Sequence, residues 1–143
     1  MTRFTVPAES PGFLLWHATL RWQRALSATL APMGLTHVQF VLLACTWWLN
    51  SQGVEPSQQD VATQAGTEIR MTSEVLRTLE GKALIVRAPD PRDSRARALH
   101  TTRAGSALAR RAIKAVEAAD AAFFGDVAGG QFTRSLRRLA GQD

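Results

Sequence analysis

The hydrophobic period of this chain switches away from a helical rhythm at one place only, and that limits what it can fold into. From Phe13 onward, apolar residues recur at three- and four-residue spacing, the mark of helices. After Lys82 the rhythm changes: Leu84-Ile85-Val86-Arg87 and Ala98-Leu99-His100-Thr101 read as two short strands. The ten residues between them, Ala88 to Arg97, form a long, basic hairpin tip stiffened by Pro89 and Pro91. From Thr102 the helical period returns at Leu108, Ala112, Val116, Ala119, Phe123 and Val127. The chain is therefore mostly α with a small β-hairpin.

Breakers and caps divide the helical part. A first helix spans Phe13 to Leu30, with one apolar line through Leu15, Thr19, Trp22, Leu26 and Leu30 and a second through Phe13, Trp16 and Leu20. Two lines predict two packing partners, its own domain and another subunit. Pro32 and Gly34 end it. Thr36 is suited to cap a second helix over about 37–50, apolar nearly all round and hence central. Ser57, followed three residues later by Asp60, opens a short third helix with a capping box. Gly66 breaks the chain, and Thr67 is placed to cap a fourth helix from Glu68 to about Lys82. Two helices joined by a tight glycine turn are the pattern of a helix-turn-helix. A last short helix covers about Gln131 to Leu139. The order ααααββαα is that of a winged helix-turn-helix with helices added at both ends.

Composition narrows the function. The 143 residues carry 17 Lys and Arg against 12 Asp and Glu, a net +5, and Arg supplies 15 of the 17 cations. Arg suits phosphate and base-edge recognition. A single cysteine excludes a disulfide framework and a Cys-rich zinc site. The longest apolar stretch, Val38 to Leu49, has 12 residues, short of the roughly 18 of a membrane span. With no signal pattern at the start, the expectation is a cytoplasmic protein with no membrane partner. No Gly-x-Ser-x-Gly elbow, phosphate-cradling glycine loop or His-Glu-x-x-His motif is present, so no enzyme, cofactor or metal is expected.

The fourth helix and the hairpin carry the chemistry. Helical geometry puts Met71, Thr72, Val75, Leu76 and Leu79 on one arc and Arg70, Ser73, Glu74 and Arg77 on the other. Two guanidinium groups, a hydroxyl and a carboxylate suit base edges in a major groove. An ordinary solvated face, with an Arg70–Glu74 ion pair, is the plain alternative. The stretch from Arg87 to Arg103 holds five Arg and two Asp. On the hairpin, Arg92, Arg95 and Arg97 form a projecting cationic ribbon suited to a minor groove, and Asp93 can brace Arg95. Helix, hairpin and charge in this order point to duplex DNA. A winged fold serving only protein–protein contacts is the competing class. Its mark, an apolar patch in place of the Arg70/Arg77 stripe, is absent from the pattern.

The stretches Met71–Glu80, Leu84–Arg87, Asp90-Pro-Arg-Asp-Ser-Arg-Ala96 and Leu99-His-Thr-Thr-Arg-Ala-Gly105 resemble the MarR family of bacterial transcription regulators, as does Leu35-Thr-His-Val-Gln-Phe40. The resemblance runs over about residues 12–140. It implies a homodimer on a palindromic site, with residues 12–34 and 103–143 as dimerisation helices and 35–102 as the DNA-binding domain. It implies a minor-groove arginine at Arg95 braced by Asp93, and major-groove positions at Arg70, Thr72, Ser73 and Arg77. Ser57 and Gln58 would open the helix that touches the backbone. Ala83 stands where members usually carry Gly, which implies strain in a left-handed residue there.

The resemblance also implies release of DNA by a small ligand, often a phenolic or aromatic acid. Its cleft would be lined by Trp16, His17, Leu20, Arg21, His37, Phe40 and Trp47, an aromatic wall with cationic groups. The same tryptophans would equally serve as core and dimer packing. His17, His37 and His100 have no partner at metal spacing, and Cys45, inside the apolar second helix, reads as a buried thiol rather than a redox sensor.

Overall fold

The computed structural model describes all residues except Met1, Thr2, Phe4, Pro91 and Asp143, together with the side chains of all but Asp90, Asp93, Ser94, Arg95 and Ala96 among the rest. Helix α1 runs Pro11–Leu30, α2 His37–Ser51, α3 Gln58–Ala65 and α4 Ile69–Gly81; strands β1 (Ile85–Asp90) and β2 (Asp93–Thr101) follow, then α5 (Arg103–Phe124) and α6 (Gly130–Leu139). The order is ααααββαα, as the period predicts.

Local chemistry sets most of these boundaries. Thr36 caps α2 by accepting from the Gln39 amide while the Gln39 side chain accepts from the Thr36 amide. Ser57 and Asp60 form the same reciprocal pair on α3. Gly66 closes α3 in the left-handed region at φ 72°, where a Cβ would be strained. At α4 the cap differs from expectation. Glu68, not Thr67, caps it, its carboxylate accepting from the Arg70 and Met71 amides at 2.8 and 3.0 Å. The longer carboxylate satisfies two first-turn donors where a hydroxyl would satisfy one. The Thr67 hydroxyl meets that of Thr72 at 2.6 Å instead.

The core gathers where α2 lies under α1, α3, α4, α5 and the root of the hairpin. Leu26, Leu30, Leu42, Leu43, Leu76, Leu79, Ile85 and Leu99 are all but inaccessible to solvent. Trp48 departs from the all-round burial expected of α2, being 46% exposed. Asn50 pins the hairpin to the end of this helix: its Nδ2 donates to Leu99 O and its Oδ1 accepts from the Thr101 amide. The Leu99 amide donates in turn to Pro56 O at 2.8 Å.

The hairpin is longer than the sequence suggested. Antiparallel pairs run from Ile85–Thr101 to Pro89–Arg97, then the register shifts and Asp90 faces Asp93. Most of the supposed loop is thus strand. β-Branched composition misses this, because pairing persists through charged and proline residues on an edge. Val127 also falls outside the helix assigned to it, since Gly125 ends α5 at Phe124.

Among the described residues, the first half of α1 and α6 have few partners within the chain, Phe132 against Phe124 at 5.8 Å being one. Phe13, Leu14, Leu15 and Trp16 are 44–63% exposed, and Leu139 is 80% exposed. In α6, Phe132, Leu136 and Leu139 share one side while Arg134, Arg137 and Arg138 take the other. Among the described residues, no single helix is long and apolar enough to cross a membrane.

Candidate nucleic-acid interface

Helix α4 has two chemically opposite sides. Leu76, Leu79 and Thr72 are buried, whereas Arg70, Glu74 and Arg77 are exposed and Ser73 is half-buried. Arg77 Nη2 donates to Ser73 Oγ at 3.4 Å, one turn back. Arg70 and Glu74 make no ion pair with each other, so the plain reading of that face lacks its stabilising contact. Thr72 corrects the expectation drawn from the resemblance. Its hydroxyl donates to Glu68 O at 2.8 Å, pairs with Thr67 and has no solvent exposure, so it offers a groove nothing.

Helix α3 presents its first turn beside the hairpin. The Ser57 hydroxyl is engaged as the cap, and Gln58 lies half-buried behind it. The Asp60 carboxyl is held below its ordinary value, chiefly by the Ser57 amide and further by Arg92. Arg92 folds back over this turn, donating to Glu55 O at 3.1 Å and reaching Asp60 Oδ2 at 3.5 Å. It ties the hairpin tip to α3 as well as lending charge. His100 Nε2 sits 3.3 Å from Glu55 Oε1 and anchors the same loop. Arg97 is exposed. The side chains of Asp93 and Arg95 lie outside those described.

Sequence reading overlooked Arg87. Its Nε donates to Glu80 Oε1 at 3.3 Å, in the last turn of α4, and Nη1 and Nη2 both reach Gln58 Oε1 at 3.4 Å. One residue therefore joins the hairpin to both helices of the helix-turn-helix. Strand alternation held the clue, because Arg87 shares the face of buried Ile85.

The supposed ligand residues do not gather at one cleft. His37 lines a hollow of about 500 Å³ with Trp22, Gln23, Ser27, Val38, Val41, Ala65 and Thr67. Arg21 lines a groove between α1 and α5 with Ala25, Thr29 and Phe123. Trp47 lines a third hollow with Cys45, Trp48 and Ile113. Phe40 is core, and Trp16 stands 63% exposed. His17 stacks on Phe13 with ring centroids 4.5 Å apart, and Leu20 is half-buried. The resemblance assigned these residues to one cleft, but α2 has a different neighbour on each side. Cys45 is half-buried rather than enclosed, and burial pushes its thiol pKa up, away from a reactive thiolate. Among the described residues no three His, Cys, Asp or Glu side chains converge on a metal position.

A helix-turn-helix followed by a basic two-stranded wing, with an arginine-bearing face on its second helix, defines a winged-helix protein of the DNA-binding class. The MarR family model matches residues 35–96. A transcriptional regulator of Bacillus subtilis, YdcH, described as uncharacterized and of helix-turn-helix type, is 44% identical over 123 residues, covering 86% of this chain and 84% of its own. The transcriptional repressor Rv2887 of Mycobacterium tuberculosis is 32% identical over 131 residues, covering 90% and 91%. Its structure in complex with salicylic acid aligns with a TM-score of 0.64 over 93% of this chain and 95% of that one, at 29% identity. The repressor CouR, bound to a 23-mer DNA duplex, aligns with a TM-score of 0.78 at 27% identity, covering 99% and 96%; the CouR of Rhodococcus jostii bound to p-coumaroyl-CoA aligns at 24% identity and shares the fold. The chain belongs to the MarR family and is a transcriptional regulator.

Proposed function

We propose that this chain works in the cytoplasm as a homodimer that covers a palindromic operator and represses transcription. Residues 35–102 face the DNA, and residues 12–34 and 103–143 form the subunit seam. The carrying observation is the pairing of two surfaces. The α4 face holds Arg70 and Arg77, neither matched by a carboxylate among the described residues, and α1 and α6 leave Phe13, Leu14, Leu15, Trp16, Leu136 and Leu139 open to water. Exposed apolar side chains on two helices, with Leu15 and Leu136 lining one apolar hollow, mark an interface, and two-fold association would set two α4 helices in successive major grooves. Arg70, Ser73 and Arg77 read bases; Arg92, Arg97 and, on the resemblance, Arg95 braced by Asp93 serve the wing.

An aromatic acid is the proposed releasing ligand. The hollow beside His37 supports this, since Trp22 and His37 meet edge to face at 5.1 Å over apolar Val38 and Val41. It lies between α1 and the α3–α4 turn, so filling it would move the DNA-binding part against the seam.

Sheared genomic DNA passed over the immobilised protein in low salt tests the reading. The retained fragments are expected to share inverted half-sites about 10 base pairs apart, centre to centre. Light scattering at micromolar concentration is expected to give a dimer, and Leu15→Lys with Leu136→Lys a monomer. A monomeric wild type that retains no fragment would overturn it.

A further inference from the structure

The hollow beside His37 has aromatic and apolar walls but no fixed charge. Among the described residues, no Lys, Arg, Asp or Glu lines its space of about 500 Å³. An aromatic acid brings a carboxylate, and a carboxylate taken out of water without a partner is costly. Gln23 and Ser27 offer neutral donors, which ease that cost without cancelling the charge. The Thr67 hydroxyl is taken by Thr72, and the Trp22 indole N–H by Asp120. Of the groups around the hollow, His37 alone can acquire a positive charge.

The surroundings of His37 keep it neutral while the hollow is empty. Burial acts first, lowering its pKa below the ordinary 6.5, and Asp120 on α5 opposes this. His37 is the first residue of α2, which carries no Lys, Arg, Asp or Glu. The positive end of the helix dipole there disfavours an imidazolium and favours an anion. On α1, Arg21 faces the separate groove beside Phe123, and Arg24 is exposed. Glu68, after the α3–α4 turn, is held by the Arg70 and Met71 amides. Lys82 Nζ donates to Gly34 O and Gln39 Oε1. An anion in the hollow would change this balance at once, because it faces the imidazole directly and favours its charged form.

We propose that this hollow takes up an aromatic acid together with one proton, the carboxylate pairing with a His37 imidazolium that forms as the acid binds. The proposal rests on the aromatic-acid reading above and adds its regulation. The proton comes from the solvent and no covalent bond to carbon changes. What enters is in sum the undissociated acid, divided inside the site into an anion and an imidazolium. At a fixed concentration, the acid then acts more strongly as the pH falls.

The experiment is isothermal calorimetry of the whole protein with benzoate, salicylate and, as the uncharged mimic of benzoate, benzamide, from about pH 6 to about pH 8. Both carboxylates are ionised throughout, so any slope belongs to the protein. Affinity for both acids is expected to fall about tenfold across this range, and affinity for benzamide to stay level. At about pH 7, binding heats compared in PIPES and Tris buffers are expected to show net proton uptake with each acid and none with benzamide. His37→Gln keeps a neutral donor that cannot become charged. It is expected to bind both acids about tenfold more weakly than wild type at the acid end, with neither slope nor uptake. Urea unfolding curves check that each protein is folded at both ends of the range. The wild-type heats need no variant and keep the test decisive if His37→Gln is unstable.

Acid binding that is level with pH and takes up no proton overturns the coupling while the aromatic-acid reading stands. If Arg21→Gln then abolishes that binding, the charge partner is Arg21. A His37→Gln protein that keeps the wild-type slope, or benzamide with the slope of benzoate, places the titration elsewhere and likewise overturns the proposal. A wild type that binds neither acid at any pH of the series overturns the aromatic-acid reading and the coupling together.

Discussion

The indole nitrogen of Trp22 donates to Asp120 Oδ1 at 2.8 Å, joining α1 to α5 across 98 positions of sequence. The His37 ring lies edge-on to the same indole, 5.1 Å from centroid to centroid. Burial lowers the His37 pKa from its ordinary 6.5, and Asp120 pulls it partly back. The folded imidazole therefore stays neutral at pH values where the unfolded chain has already taken up a proton. Stability is expected to fall as pH drops through about 6.5 and to level off below the lower, folded value. Urea unfolding of wild type should show less stability at about pH 5 than at about pH 7.5. His37→Gln should shrink that difference, and Asp120→Asn, which removes the opposing attraction, should widen it. A His37→Gln protein with the full wild-type difference would assign the pH dependence elsewhere.

Thr72 and Arg77 are expected to separate stability from DNA binding. The Thr72 hydroxyl is buried and engaged by Glu68 O and the Thr67 hydroxyl. Thr72→Val keeps the shape but orphans Thr67, at a cost of about 1–2 kcal/mol in unfolding free energy, with affinity for DNA unchanged. Arg77→Ala should leave unfolding within about 0.5 kcal/mol of wild type, because its one polar contact is a weak exposed one to Ser73. It should relax preference at particular base pairs by about 1–3 kcal/mol in a competition assay against mutated sites.

These two residues also show how far the sequence can be read. Periodicity put Thr72 on the inner arc, and the resemblance put it on the DNA side; packing follows the periodicity. Element order and the caps at Thr36 and Ser57 were legible because they depend on residues three or four apart. Whether the expected ligand residues share a cleft was not, because a cleft depends on which helices lie either side of α2, and sequence spacing carries no such information. Arg87 was visible only as one more cation. Its role needs the partners at Glu80 and Gln58, which lie seven and 29 positions away.

Ala83 is the residue where the sequence warned of strain and the backbone carries it. Its φ is 59°, and among the described residues it is the one non-glycine in that region. The turn demands it: α4 ends at Gly81, and the Leu84 amide must return to Leu79 O at 3.0 Å so that β1 can start. A left-handed alanine costs about 1–2 kcal/mol, and glycine returns part of that through the entropy of its unfolded chain. Ala83→Gly is expected to raise stability by about 0.5–1 kcal/mol, read as a higher urea midpoint at constant m-value. A lower midpoint would show that the turn is already relaxed.

Gly105 is expected to tolerate no side chain, for a reason that differs from Ala83. It is a buried residue in the first turn of α5 with ordinary helical conformation. The obstacle is space. A Cβ built there overlaps the carbonyl oxygen of Leu84, a backbone atom that cannot swing aside as a side-chain tip would. That same oxygen accepts from the Thr102 amide at 3.0 Å, and the Thr102 hydroxyl reaches Ala83 O at 2.7 Å. The start of α5 is thus laid directly against the backbone where α4 turns into the wing, and glycine sets the distance. Gly105→Ala would push α5 away from the wing root, breaking these hydrogen bonds and loosening Leu108 and Ala109 behind them. The expected loss is about 3 kcal/mol or more, at the severe end for a single added methyl. Gly12→Ala, where an added Cβ meets only Ser10 Oγ at 3.9 Å, is the control and should stay within about 1 kcal/mol of wild type. Equal urea midpoints for the two variants would mean that the α5–wing contact yields without cost, and that the wing is not held in a fixed position relative to α5.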